Sequence, residues 1–373
     1  MRPTCLTPAL NAVLSSMHEY KIPTVKELRS ATESGNHKFE VVSLFAGGGG
    51  SSTGYRMAGG KVLAVNEFIP EAVKTYRANW PTTKVLSGDV RKLSGQEILD
   101  VIGRKPGQLD ILDGSPPCSA FSTAGSRDKG WGKAKKYSDA SQENVEDLFF
   151  DYIRILRDVQ PKVFVAENVS GLAKGVAKGY LNQILRELRA SGYQVSCKIL
   201  DAQWLGVPQK RARTIFVGVR NDLWRDEFKG LLHPAPVGDR PTLRQAFEGL
   251  RFTDEDKAQT DISKYATFRE LVKLPKGGQS RKYFQLVKAD PGSVSGCVTA
   301  SSGALSIACV RHWDNRAFSV SEVKRIMSIP DDYVLTGTYQ QKVERLGRMV
   351  APFMMKAVAQ NIISLGVLNA SSE

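Results

Sequence analysis

The sequence predicts an α/β protein: a doubly wound, mostly parallel sheet joined to a second, smaller and irregular domain. Three observations carry this. Short apolar runs alternate with amphipathic stretches from Phe39 to Arg220, the rhythm of buried parallel strands covered by helices on both faces. The first run closes on Gly47-Gly48-Gly49-Gly50, a turn of the kind found at the carboxyl edge of such sheets. Between residues 222 and 312 the rhythm disappears among Pro234, Pro236, Pro241, Pro275 and Gly277-Gly278, which mark loops rather than layered elements.

In chain order, residues 1–37 read as an N-terminal extension with a short helix, Val25–Ala31, broken at Glu33-Ser34-Gly35-Asn36. The extension is expected to dock on the core rather than touch a ligand. Strands are expected at Phe39–Phe45, Lys61–Glu67, Leu109–Gly114 and Val163–Glu167. Each is a near-continuous apolar run, as strands buried on both faces are. Ile69–Ala78, Val145–Val159 and Tyr180–Ala190 carry helical spacing between them. Tyr193–Asp201 and Thr214–Arg220 read as two further strands around a basic turn, and helical periodicity returns at Ser319–Ile329 and Lys342–Ile363. The division is therefore an extension (1–37), an α/β domain (38–221 plus 313–373) and a small domain (222–312).

Across 373 residues, Lys+Arg number 52 against 38 Asp+Glu, a net charge of +14. That excess favours a polyanionic partner, nucleic acid before an anionic membrane. No apolar run approaches the ~18 residues of a membrane span. His18, Glu19 and Lys21 interrupt the mildly apolar N-terminal stretch, which does not read as a secretory signal. Cys5, Cys118, Cys197, Cys297 and Cys309 are odd in number and contain no C-x-x-C. The expectation is a reducing, cytoplasmic compartment, with neither a disulfide framework nor a metal site.

The glycine turn misses the dinucleotide fingerprint, because Gly47-x-Gly49 leads to Ser52 and Gly48-x-Gly50 to Thr53. A nucleoside cofactor is favoured over a pyrophosphate one, and Glu67, at the end of the second strand, suits a ribose diol. Asp113-Gly114-Ser115-Pro116-Pro117-Cys118-Ser119 follows the third strand. Its two prolines would present Cys118 at the sheet edge instead of burying it as a small apolar residue. No histidine is near in sequence, which disfavours a Cys–His protease. Glu167 ends another buried strand, where a carboxylate is costly unless paired or protonated. In Gln209-Lys210-Arg211-Ala212-Arg213, alternate positions share a face of an extended chain, either as a solvated turn or as a positive field for the thiol.

FAGGGG (45–50), NEF (66–68), GSPPC (114–118), ENV (167–169) and QKRAR (209–213) occur in this order. Arg316-x-x-Ser319-x-x-Glu322, Ile329-Pro330-Asp331-Asp332-Tyr333 and Gly347-Arg348-Met349-Val350-Ala351-Pro352 follow. The set resembles the DNA cytosine-5 methyltransferases over roughly residues 39–365. The resemblance implies a Rossmann-like class I fold that binds S-adenosylmethionine, with 222–312 as a target-recognition domain and double-stranded DNA as substrate. Cys118 would attack carbon 6 of a flipped-out cytosine, Glu167 would hold and protonate N3, and Arg213, with Arg211, would contact the base. Phe45, Ala46, Gly47, Gly49 and Gly50 would form the cofactor turn. Phe45 and Phe68 would flank the adenine, Glu67 would bind the ribose and Asp89, beside Val90, the adenine amine. Pro116, Arg348 and Val350 would complete that pocket. Ser119 and the lid residues Arg127, Lys129, Lys133, Lys135 and Lys136 would meet DNA, as would Arg281, Lys282 and Tyr283. A monomer, bacterial or phage-encoded and nucleoid-associated, completes the expectation.

Two positions depart from the family pattern. Ser119 stands where most relatives have Gln, and Arg348 where they usually have Asn. A guanidinium beside a sulfonium is unfavourable unless an anion lies between them. Either Arg348 points to solvent or pairs with an acid such as Glu344, four residues earlier on a helix, or it recognises a carboxylate on the transferred group. The second case implies carboxy-S-adenosylmethionine as cofactor and 5-carboxymethylcytosine as product. A family member acting on transfer RNA would carry the same motifs. The three catalytic residues argue against an inactive DNA-binding relative, and the glycine spacing against a dehydrogenase.

Overall fold

The computed structural model describes residues 20–33, 35–117, 135–136, 141–142, 147–173 and 177–369. Seven strands form one sheet: β1 (Phe39–Leu44), β2 (Gly60–Glu67), β3 (Lys84–Ser87), β4 (Ile111–Gly114), β5 (Val163–Val169), β6 (Tyr193–Asp201) and β7 (Ala212–Arg220). Their spatial order is β3-β2-β1-β4-β5-β7-β6. The first five pair in parallel, while β7 runs antiparallel to β5 and β6. The basic turn between β6 and β7 is too short for the crossover that a parallel pair requires, so this edge closes as a hairpin. The order reverses between β1 and β4, and the crevice at their carboxyl ends is where such sheets bind ligands.

Alternation along the strands feeds two cores. Val41 of β1 and Val163 and Val165 of β5 belong to one core, which α1 (Val25–Glu33), α2 (Gly50–Met57) and α11 (Pro352–Ser364) cover. Val42 and Leu44, with Phe164 and Ala166, belong to the other, beneath α4 (Gly95–Ile102), α5 (Leu148–Val159) and α6 (Ala177–Ala190). Between β2 and β3 lies α3 (Pro70–Asn79). The described part of the extension docks: Val25 and Leu28 are buried, and Asp332 accepts from the backbone N–H of Val25 at 2.8 Å.

Beyond β7 the chain forms α7 (Asp254–Thr260), α8 (Ala266–Lys273) and a two-residue parallel pairing of Val287–Lys288 with Val310–Arg311. A small core of Ile262, Leu271, Leu286 and Ala317 holds this region, yet Leu243, Ala289 and Val298 of the same stretch pack into the main core. The chain then returns through α9 (Val320–Ile326) and α10 (Tyr339–Arg348). No helix among the described residues is long and apolar enough to cross a membrane.

The single helix expected over Lys342–Ile363 is two. Arg348 ends α10, Met349 is extended (ψ 149), and Pro352 starts α11 at its first turn, where a missing N–H costs nothing. Helix α2 was not expected, since Gly-Ser-Ser-Thr-Gly is a poor helix former. It exists because Gly54 lets α11 approach: a Cβ there would meet the Pro352 carbonyl and lie 2.7 Å from Met355 Cβ. Gly54→Ala is expected to destabilise the protein by about 1–3 kcal/mol through overpacking, read as a lower urea midpoint. Gly179→Ala, on exposed α6 with nothing within 4 Å, should instead hold or raise that midpoint.

Candidate active site

After β1 the chain turns back on itself through left-handed residues, Phe45 (φ 56), Gly47 (φ 55) and Gly49 (φ 92). The glycines divide their work. A Cβ on Gly47 would meet nothing within 4 Å, so this residue opens onto a cavity of about 510 Å³. A Cβ on Gly48 or Gly50 would instead strike Met349 or the Val350 carbonyl, so those two positions admit the α10–α11 link behind the turn. Of the residues expected at the cofactor, Phe45, Gly47, Glu67 and Phe68 line the cavity, whereas Ala46, Gly49, Gly50 and Val350 do not.

Glu67 is buried, and its carboxylate accepts from the backbone N–H groups of Gly47, Phe68 (2.8 Å) and Ile69 (2.7 Å). Burial raises its pKa above the usual carboxylate value, against the opposing pull of those N–H donors. Val90, Pro116 and Arg348 also reach the cavity. Asp89 does not line it: its carboxylate forks onto Arg91 at 2.7 Å and caps the next turn.

The opposite wall carries Glu167, Arg211 and Arg213. Arg213 Nε lies 2.7 Å from Glu167 Oε1, a charge-assisted contact that orients the carboxylate. Arg211, expected to contact the base, is only 2% exposed and serves the backbone instead. Its guanidinium donates to the carbonyls of Val298 (2.9 Å), Gly347 (2.9 Å) and Met349 (2.8 Å). Burial, with Arg213 nearby, pushes its pKa down to about 10, which leaves it charged at neutral pH. Asn168, quoted in a motif but given no role by the sequence, donates to the Pro116 carbonyl at 3.2 Å and so ties the end of β5 to the Pro-Pro loop.

Arg348 pairs with Glu344 through Nε and Nη2, both at 2.9 Å, one helical turn back. The i,i+4 alternative is the one observed, although the side chain stands in the cavity wall. Cys118, Ser119, Arg127, Lys129 and Lys133 lie outside the described residues. Lys135 and Lys136 pair as a short strand with Ser141 and Gln142, and their side chains lie outside the description. Arg281 and Lys282 are exposed, with Lys282 Nζ 5.4 Å from the Tyr283 ring centroid. No group of three or more metal-ligating side chains occurs among the described residues.

The sequence reading also passed over Asp113, on β4. It is 1% exposed and accepts from Ser43 Oγ (2.6 Å) and Tyr55 Oη (3.1 Å). The network joins β1, α2 and β4 beneath the cavity. Burial, reinforced by the Glu167 charge, raises its pKa to about 7. The one cue was position: an acid inside an apolar strand.

Sheet order and crevice define a class I S-adenosylmethionine-dependent methyltransferase fold. Residues 39–364 match the C-5 cytosine-specific DNA methylase family, and the chain belongs to it. It is 30% identical over 343 residues to the Type II methyltransferase M1.HphI of Haemophilus parahaemolyticus, covering 87% of this chain and 86% of that one. It is 29% identical to M.SacI of Streptomyces achromogenes, covering 90% and 95%. Among solved structures, a candidate DNA modification methyltransferase from an E. coli prophage superposes with a TM-score of 0.70 at 21% identity, covering 89% of this chain and all of that one. A Spodoptera frugiperda DNMT2 mutant gives 0.62 at 19%, with the same coverage.

Three variants test these contacts. Native Asp113 holds its proton to about pH 7 and the unfolded chain only to about pH 4, so its contribution is full below pH 4 and lost as pH rises through 7. Asp113→Asn removes that loss, and urea midpoints should show the variant gaining on the parent from pH 5 to pH 8. Arg211→Met should lower the urea midpoint by several kcal/mol equivalent, because it strands buried carbonyls. Arg213→Met should lose product formation and also lower the midpoint, because it leaves the buried Glu167 carboxylate without its partner.

Proposed function

We propose that this protein transfers a one-carbon group from an S-adenosylmethionine-type cofactor to carbon 5 of cytosine in double-stranded DNA. One observation carries the reading. A single cavity is walled by Phe45, Glu67 and Phe68 on one side and by the Glu167–Arg213 pair on the other. Pro116 and Pro117, immediately before Cys118, stand in the same wall.

The residues fit the cofactor. Gly47 leaves open space where a side chain would stand, two aromatic rings suit an adenine, and a pinned buried carboxylate suits a ribose diol. When bound, S-adenosylmethionine supplies an electrophilic methyl on a sulfonium. The chain's own residues prepare the base. The Cys118 thiolate adds to carbon 6, and Glu167 gives a proton to N3 as negative charge arrives there. The ring becomes an enamine whose carbon 5 is nucleophilic. Arg213 holds the Glu167 carboxyl in place, and Asn168 fixes the loop that leads to Cys118. After transfer, loss of the carbon 5 proton expels the thiolate.

The net charge of +14 and the exposed Arg281 and Lys282 serve the phosphates, and residues 222–312 read the target sequence. Relatives that are Type II methyltransferases support a role in restriction–modification; in this reading the protein acts in the cytoplasm, as a monomer.

Arg348 favours a second reading. It stands in the cavity wall with Glu344 on its Nε–Nη2 edge, so a carboxylate on the group to be transferred would exchange with Glu344. The cofactor is then carboxy-S-adenosylmethionine and the product 5-carboxymethylcytosine.

Nucleoside mass spectrometry after incubation with mixed-sequence duplex DNA and either cofactor separates the readings. 5-Methylcytosine from the parent and none from Cys118→Ala is the expected result. Preference for the carboxylated cofactor, swinging back to the methyl one in Arg348→Asn, would establish the second reading instead. Product on transfer RNA alone would overturn DNA as the substrate.

A further inference from the structure

The loop between Val298 and Ala308 has few apolar side chains to fix its shape. Within Ala300-Ser301-Ser302-Gly303-Ala304-Leu305-Ser306-Ile307, Leu305 packs on the small core, while Ile307 is 41% exposed. Its backbone holds it instead. Four carbonyls converge on the guanidinium of Arg311, those of Ser302 (3.2 Å), Ala304 (3.0 Å), Leu305 (3.1 Å) and Ile307 (2.7 Å). Arg311 is itself 1% exposed. Carbonyls turned away from water are costly when unmet, and only a planar cation with several donors meets four of them together. On its other side the loop rests against α10. A Cβ on Gly303 would lie 2.9 Å from the Gln340 carbonyl.

The loop matters for what it borders. Thr299, Ala300 and Ser301 at its start, with Ile307, Ala308 and Cys309 at its end, line the cavity that holds Glu167 and Arg213. Arg311 does not line that cavity and reaches it only through this loop. The loop belongs to the small region, so it is where that region meets the site of chemistry. We propose that Arg311 is a positioning residue for the DNA substrate, setting the rim that the small region presents to the Glu167–Arg213 wall. This rests on the DNA cytosine reading above. A lysine would bring one compact ammonium, which cannot fork among carbonyls spread along the loop. The rim would then shift, and a displacement of about 1 Å can slow a transfer by up to about a hundredfold. Phe45, Gly47, Glu67 and Phe68 stand on β1, β2 and the turns after them, outside the reach of this clamp.

The test uses the full-length protein and a duplex whose modified cytosine has first been located by sequencing the parent's product. Single-turnover rates at saturating DNA and cofactor are measured beside the Kd for S-adenosylhomocysteine, the cofactor after transfer, by calorimetry. Arg311→Lys should slow transfer at least about tenfold, with that Kd within about twofold of the parent's. Gly303→Ala, which presses on the same loop from the α10 side, should give the same split with Arg311 intact. An unchanged rate in Arg311→Lys, a loss of cofactor affinity equal to the loss of rate, or a variant that no longer folds overturns the proposal. So does a loss confined to Arg311→Lys, which would place the effect outside the loop. Absence of product from the parent on every duplex would instead defeat the underlying reading, before any variant is compared.

Discussion

The buried guanidinium of Arg211 is the contact on which the geometry of the site depends. The carbonyls of Gly347 and Met349 end helix α10 with no helical partner, and Val298 lies where the chain returns from the small region. Two segments distant in sequence present three acceptors at one point, and a planar cation with five donors satisfies them together. A lysine would bring one compact charge to the same place and could not fork among them. The consequences spread outward. Arg213 leaves the same strand two residues later and meets Glu167, while the α10–α11 link is held against Gly48 and Gly50. The glycine turn and the wall that carries Glu167 and Arg213 are thereby set at a fixed spacing by one side chain.

The two carboxylates of the cavity show how one sheet edge prepares two different tasks. Glu67 is bound by backbone N–H groups on both of its oxygens. That leaves it a rigid acceptor, suited to recognising hydroxyls without moving a proton. Glu167 is bound by a side chain, Arg213, which can shift as charge develops on a substrate. The proposed function gives recognition to the acid held by the backbone and proton movement to the acid held by a side chain. Both arrive at strand ends because the parallel order places the carboxyl edges of β2 and β5 on one side of the sheet.

Much of this was legible in the sequence because burial on both faces writes continuous apolar runs. β1, β2, β4 and β5 end within a residue or two of where the runs of apolar residues end, and Glu67 and Glu167 are conspicuous because they close such runs. What was illegible has physical causes. β3 is a short edge strand, Lys84–Ser87, without a fully buried residue. Helix α2 is a sequence of poor formers that tertiary packing against α11 imposes. Arg211 and Arg213 look alike on an extended chain, and only the carbonyls that gather around Arg211 separate a clamp from a contact to substrate. Asp113 carried no motif, since its role is a network with Ser43 and Tyr55, brought in from β1 and α2.

Arg348 shows how an unusual residue is accommodated before it is put to use. A lone guanidinium in the wall of a cavity for a cationic sulfonium would repel it, and the low dielectric of the pocket would sharpen the repulsion. Glu344, on the previous turn of α10, supplies the compensating charge within the same helix. The pair is therefore close to neutral toward an ordinary cofactor, and the substitution is tolerated. The same pairing orients the guanidinium in the cavity wall. Exchange of one carboxylate for another on that guanidinium costs far less than burying an unpaired charge, because the cation remains paired throughout. Under the second reading proposed above, a carboxylate on the transferred group would compete with Glu344 for this guanidinium, and that competition would set the preference between cofactors.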